Sequence, residues 1–211
     1  MKKRFILLTI ATGLLFSCNN QKSVDENTEA NYSSLVIEYV TDYEMAGMKI
    51  SEKETKWVDK KNNREASLSI KESTVMGVVT KEETFTLNDG VWYYNINLSD
   101  KTGTKMKIED VKETAMALAM FVNIDETGMK EFIEKNGGKV LGNEMFLDKD
   151  CFVYEMTGTK QWMYKGEVLK MMLGDKIMKQ AVKIEEDVTI PDDKFKLPEG
   201  VTITEIKNIL E

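Results

Sequence analysis

The sequence predicts an α+β fold in which one long, curled antiparallel sheet is interrupted once by a helical insertion packed in its concave face. Three observations lead there. Apolar residues alternate with polar ones between Leu35 and Leu98 and again after Lys139, the period of half-buried strands. Between Ile108 and Ile133 they recur at steps of three and four residues, the period of a helix. Short turn signals, Asn88-Asp89-Gly90 and Gly174-Asp175 among them, separate the alternating stretches, so consecutive strands are expected to be neighbours.

Taken in order, Asn19 to Asn31 is polar and aperiodic and has the composition of a tether. Leu35, Ile37 and Tyr39 then share one face of a first strand, and Ala66, Leu68 and Ile70 share a face of another, opposite Ser67, Ser69 and Lys71. Phe85 and Leu87 lead into the turn at Asn88-Asp89-Gly90. Trp92, Tyr94, Ile96 and Leu98 line one side of the return strand. The first half is thus expected to be an antiparallel meander.

Ile108, Val111, Ala115, Leu118 and Val122 form a helical stripe. Ala115 to Val122 is apolar at eight consecutive positions, with Met116 and Met120 off the main stripe, so a helix there has no wet face. It must be covered on two sides, by the sheet and by a second helix, a ligand or both. Asp125 is a candidate N-cap for that second helix, which carries Met129, Phe132 and Ile133 and ends at Gly137-Gly138.

Strand signals return over Lys139 to Phe146, Cys151 to Thr157, Lys160 to Tyr164, Glu167 to Leu173 and Lys176 to Asp187. Alternation places Phe152, Tyr154 and Met156 together, Trp162 with Tyr164, and Leu169 with Met171 and Leu173. A sheet of this length twists and curls. Helices on its concave side would bury the aromatic faces and the all-apolar helix at once.

At the N-terminus, Lys2, Lys3 and Arg4 precede the apolar run Phe5 to Phe16, too short to span a bilayer as a mature helix, which is the form of an export signal. The junction Leu15-Phe16-Ser17-Cys18 resembles a bacterial lipobox, in which the cysteine becomes the lipid-modified first residue. That resemblance implies a signal peptide over residues 1–17, lipidation of Cys18 with a tether to residue 31, and one domain over 32–211. The alternative is an ordinary cleaved signal in which Cys18 is incidental. Asn19 in place of an aspartate after the anchor implies, by the same resemblance, the outer membrane rather than the inner one.

Losing Lys2, Lys3 and Arg4 takes the formal charge from −7 to −10. Net negative charge argues against nucleic acid as a partner, because phosphate binding needs clustered cations. With Cys18 lipidated, Cys151 has no cysteine partner, so no internal disulfide is expected, and its alternating strand context suits a small buried residue. The chain contains no histidine, the commonest general base and metal ligand. Acidic pairs such as Glu82-Glu83, Glu185-Glu186 and Asp192-Asp193 point to opposite faces when they lie on strands and do not converge. No phosphate loop, Cys-x-x-Cys or calcium loop occurs. The expectation is no enzyme, no metal and no cofactor.

Lys139-Val140-Leu141-Gly142 with Asp150-Cys151-Phe152-Val153-Tyr154, the stretch Gly158-Thr159-Lys160-Gln161-Trp162-Met163-Tyr164-Lys165-Gly166-Glu167-Val168-Leu169-Lys170, and Ile190-Pro191-Asp192-Asp193-Lys194-Phe195-Lys196-Leu197-Pro198-Glu199-Gly200 together resemble the C-terminal half of LolA/LolB-like lipoproteins common in Bacteroidota. The resemblance implies a half-barrel closed by a helical lid over an apolar cavity that, in the carriers, accepts acyl chains. The arginine that latches the carrier's lid has no assignable counterpart, since Arg64 is the only arginine after Cys18. The shuttle itself is therefore not expected.

The leading expectation is an envelope lipoprotein that binds a lipid, acyl chain or other hydrophobic small molecule without catalysis. Trp92, Tyr94, Met116, Met120, Phe121, Phe132, Trp162, Tyr164 and Met171 would line its cavity, and the segment Met116 to Phe121 would gate entry. Thirteen methionines after the signal suit an adaptable apolar surface, although Met also fills irregular cores. The second reading is a structural or interaction module whose interior is filled by its own side chains and whose partner is another envelope protein. A hydrolase using paired carboxylates is the third.

Overall fold

The computed structural model describes residues 32–111 and 126–206. Cys18 and the tether lie outside the described residues, as do Asp125 and the tract containing Met116, Met120 and Phe121. Strands β1 (Ser34–Met45), β2 (Met48–Asp59), β3 (Arg64–Val75), β4 (Val78–Asn88), β5 (Trp92–Asn97) and β6 (Thr102–Lys107) form the first half. A helical turn α1 (Ile108–Val111) and the helix α2 (Glu126–Lys135) follow, then β7 (Lys139–Phe146), β8 (Lys149–Met156), β9 (Thr159–Tyr164), β10 (Glu167–Leu173), β11 (Lys176–Glu186), a 3-10 turn (Asp192–Phe195) and β12 (Thr202–Glu205).

All twelve strands belong to one sheet in the order β12-β6-β5-β4-β3-β2-β1-β11-β10-β9-β8-β7. Both halves are meanders, joined where β1 pairs antiparallel with β11. The sheet is mixed rather than wholly antiparallel, because β12 runs parallel to β6 after the chain has crossed one face of the sheet. Several hairpins close on two residues with positive φ, as at Ala46-Gly47, Thr157-Gly158 and Lys165-Gly166, the backbone that matches strand twist.

Register fixes two faces. Leu35 opposes Val58 on one, while Val36, Trp57, Ala66, Leu87 and Tyr94 follow one another across the other. On the first face Leu35, Ile37, Tyr39, Val58, Val153, Trp162 and Leu169 form one buried cluster that runs from β2 to β8. On the second, Ala66, Phe85, Leu87 and Ile96 are covered by Phe195, Ile190, Val201 and Ile203 from the C-terminal segment. Arg64 fastens that segment: its guanidinium reaches Asp59 at 2.8 Å and Asp192 at 2.6 Å and lies 4.1 Å from the centre of the Phe195 ring.

The sheet curls toward the first face. Lys56 Nζ on β2 lies 2.7 Å from Glu167 Oε2 on β10, although β1 and β11 intervene. Three strand spacings amount to about 14 Å on a flat sheet, more than upright lysine and glutamate side chains can close. Lys149 on β8 and Glu186 on β11 meet at 2.8 Å across the same number of spacings.

Helix α2 takes the opposite, convex face. Its Ile133 is buried against Phe152, Tyr154 and Met163, whose neighbours Cys151 and Val153 point into the concave cluster. The described helix therefore departs from the expectation of a helix inside the curl: β8 is apolar on both sides, and α2 covers its aromatic side. The C-terminus of α2 ends as the glycines predict, with Gly138 N–H donating to Ile133 O at 2.8 Å and Gly137 N–H to Glu134 O at 3.1 Å, Gly137 being left-handed at φ 76°. The expected face of Leu169, Met171 and Leu173 is also revised. Register shifts lie on both sides of Met171, and Met172 rather than Met171 packs on the concave cluster with Leu169, because an extra residue in a strand reverses its alternation.

Candidate functional site

The concave face is half apolar and half charged. Strand β2 sends Glu52, Glu54 and Lys56 into it at alternate positions, and each finds a partner on another strand. Lys56 pairs with Glu65 at 3.2 Å as well as with Glu167. Burial works against its charge, but Glu167 and Glu65 outweigh that and hold the ammonium well above the ordinary lysine range. Burial, reinforced by Glu167, keeps the phenols of nearby Tyr32 and Tyr39 neutral. At the β9–β10 end, Glu186 accepts from Lys149, Lys165 and Tyr164 at 2.8–2.9 Å. Burial opposes ionisation there too, yet those three donors bring its carboxyl down to about 2.

Between β2, β3 and β4 the concave face leaves a groove of about 280 Å³ lined by Glu52, Glu54, Glu82, Lys71 and hydroxyls such as Ser69 and Thr84. An acyl chain gains little on such a floor, because the polar groups would lose water without replacement hydrogen bonds. Among the described residues the concave face thus offers a polar groove.

The sheet divides the residues expected to line one cavity. Trp92 and Tyr94 lie on the convex face, where Tyr94 packs on the C-terminal cover and Lys105 Nζ lies 4.0 Å from the Trp92 ring centre. Trp162 and Tyr164 lie on the concave face, Trp162 buried with its indole N–H donating to Glu144 at 2.8 Å, and Tyr164 held by Glu186. Phe132 is half-buried on α2, and Met171 is half-buried between two register shifts. Cys151 is fully buried, and burial, with Asp150 adding to it, pushes its thiol up to about 11. It is a core residue in this fold.

A feature that the alternation pattern did not single out stands at the β3–β4 hairpin. Its tip is Val75-Met76-Gly77-Val78-Val79, in which Met76 is 96 % exposed, Val78 64 %, Val79 58 % and Val75 46 %. Met76 is also left-handed at φ 50°, a backbone that favours glycine or asparagine. Glu72 opposite Lys81 and Lys71 opposite Glu82 form a charged collar below the tip. Above the collar come Ser73 opposite Thr80 and Thr74 opposite Val79, and the apolar cap from Val79 to Met76 is about two residue steps, or roughly 7 Å, tall. Met45, Leu173 and Ile177 are exposed on the same rim of the sheet. The signal in the sequence was an apolar run centred on Met-Gly and flanked by charge, which fits neither a buried strand nor a solvated turn.

No protein family matches the sequence, and no curated protein matches it. Among solved structures, the chain is similar to an uncharacterized conserved protein from Thermus thermophilus, with 6 % identity, a TM-score of 0.48 and coverage of 83 % of this chain and 92 % of that one. It is also similar to PNGF-II in two crystal forms, at 11 % and 13 % identity with TM-scores of 0.38 and 0.33. Those matches cover 82 % and 84 % of this chain but only 32 % and 31 % of PNGF-II.

Proposed function

We propose that this chain is an envelope lipoprotein, anchored through Cys18 in the outer membrane, that contacts lipid or another hydrophobic ligand on a LolA-like half-barrel and catalyses no reaction. The observation that carries the reading is the hairpin tip. Four large apolar side chains are held in water at the end of a hairpin, and its Met76-Gly77 turn, with the same positive-φ backbone as the other two-residue hairpins, sets Met76 outermost. An apolar cap roughly 7 Å tall, above a ring of hydroxyls and then of charge, fits the depth to which surface-binding elements enter the boundary between headgroups and acyl chains.

The interaction-module reading is favoured by the same tip, which would fit an apolar groove on an envelope protein. Vesicle flotation separates the two. The protein without its signal should float with phospholipid vesicles, and Met76→Asp with Val78→Asp should lower the bound fraction about tenfold, since a charge in the membrane costs more than 1.4 kcal/mol. Lipid should also remain bound in native mass spectrometry. Flotation unaffected by the double substitution, with only empty protein in the spectrum and no uptake of a fluorescent fatty acid, would reject lipid contact in favour of a protein partner.

A further inference from the structure

The apolar tip and the point where the chain enters the domain lie at opposite rims of the sheet. Ser34 pairs with Asp59 and Asp59 with Arg64, so Tyr32 stands at the Arg64 end of β3, and Tyr32 OH reaches Lys165 O on the turn at that rim. Met45 pairs with Met48 and Met48 with Val75, which puts the tip at the other end. Eleven residue steps along β3 separate the two rims by about 36 Å.

From Cys18 to Tyr32 the chain has fourteen steps. A relaxed polar tether of that length spans about 20 Å, and a fully extended one about 48 Å. Bringing the tip end-on into the bilayer that holds Cys18 would require the tether to be drawn out alongside the whole height of the sheet. Laying the domain on its side would press the collar of Glu72, Lys81 and Glu82 against the membrane before the tip could enter.

We propose that the β3–β4 tip engages a lipid surface other than the one in which Cys18 is anchored, so that a single protein bridges two lipid surfaces. This rests on the lipid-contact reading of the tip and on lipid at Cys18. The tether sets the polarity: it holds the Arg64 rim near the anchoring bilayer and leaves the tip facing outward. The second surface is a phospholipid bilayer of no particular headgroup charge, because the tip is apolar at its end and ringed by both signs of charge.

The test uses the lipidated full chain reconstituted in phosphatidylcholine vesicles, carrying Met76→Cys labelled with a small fluorophore; Cys151 is buried and leaves the new thiol to react alone. Nitroxide lipid in added acceptor vesicles should quench the label about fivefold more than the same lipid in the anchoring vesicles, and the two populations should cluster, since the apolar cap would enter only the outer surface. Inserting about forty flexible residues between Asn31 and Tyr32 should shift quenching to the anchoring vesicles, because the longer tether then spans about 40 Å when relaxed, enough to pass the sheet. Val78→Asp should abolish clustering while the protein stays anchored. Quenching from the anchoring vesicles at the natural tether length overturns the bridge and leaves lipid contact standing. Quenching from neither population overturns lipid contact itself and the bridge with it. A chain whose mass shows no lipid on Cys18 overturns the polarity.

Discussion

Lys56 and Glu167 meet at 2.7 Å on the concave face, although two strands separate theirs. The pair can form only because the sheet curls, and it is enclosed with Glu65, Tyr32 and Tyr39. Glu167→Gln removes one charge and leaves a partly buried ammonium with Glu65 alone. It should destabilise the domain by about 3 kcal/mol, whereas Lys56→Met with Glu167→Met should recover most of that loss. Urea unfolding checks both, and a Glu167→Gln midpoint equal to that of the natural protein would mean that the pair does not hold the curl.

Glu186 has a carboxyl brought down to about 2. A carboxylate depressed in the folded state contributes stability above its unfolded value, near 4.5, and that contribution is lost as pH falls from there toward 2. Allowing for solvent screening at this partly exposed site, the contribution is about 1–2 kcal/mol. Glu186→Gln should flatten the stability profile between pH 5 and pH 2 by that amount. Parallel profiles for the two proteins would assign acid sensitivity to other groups.

Arg64 ties the C-terminal segment to the convex face through Asp59, Asp192 and the Phe195 ring. Arg64→Lys keeps the charge but cannot reach both carboxylates in one plane while stacking on the ring. It should cost about 1 kcal/mol and raise hydrogen exchange selectively over β12 and the 3-10 turn. Exchange that rises uniformly across the sheet would contradict a local fastening role.

Met76 separates stability from binding. Met76→Asn or Met76→Gly relieves the left-handed backbone and removes exposed apolar surface, so stability should hold or rise by about 0.5–1 kcal/mol. Vesicle binding should fall in the same proteins. Lower stability on either change would mean that Met76 is packed and not presented.

Gly138 follows α2 closely enough that an added Cβ would meet Ile133 Cγ2 at 2.7 Å and Glu155 O at 2.8 Å. Gly138→Ala should therefore loosen α2 from β8, costing about 2 kcal/mol, with the change in hydrogen exchange centred on Ile133 and Tyr154. An alanine that is tolerated without loss would show that the helix can lift from the sheet at little cost.

The strands were legible wherever one face is apolar and the other wet, because burial on one side imposes period two. The boundaries of β7 to β11 lie within a few residues of the alternating runs. Strand β2 was not legible. Its concave positions Glu52, Glu54 and Lys56 are charged, and their partners come from β3, β11 and β10, so no hydrophobic period marks it. The parallel pairing of β12 was hidden for a similar reason: it depends on where a loop crosses the sheet, which is a property of the assembled fold.

By itself the sequence determined β1, β3 to β5 and β7 to β11 as strands, the glycine stop of α2 and the buried state of Cys151, because each follows from local backbone preference or from a single residue's fit to its face. Only the tertiary structure decided which face is concave, and it therefore divided Trp92 and Tyr94 from Trp162 and Tyr164. The sense of the curl depends on side chains far apart in the chain meeting across several strands. The same pairings set the apolar tip at the rim opposite Tyr32.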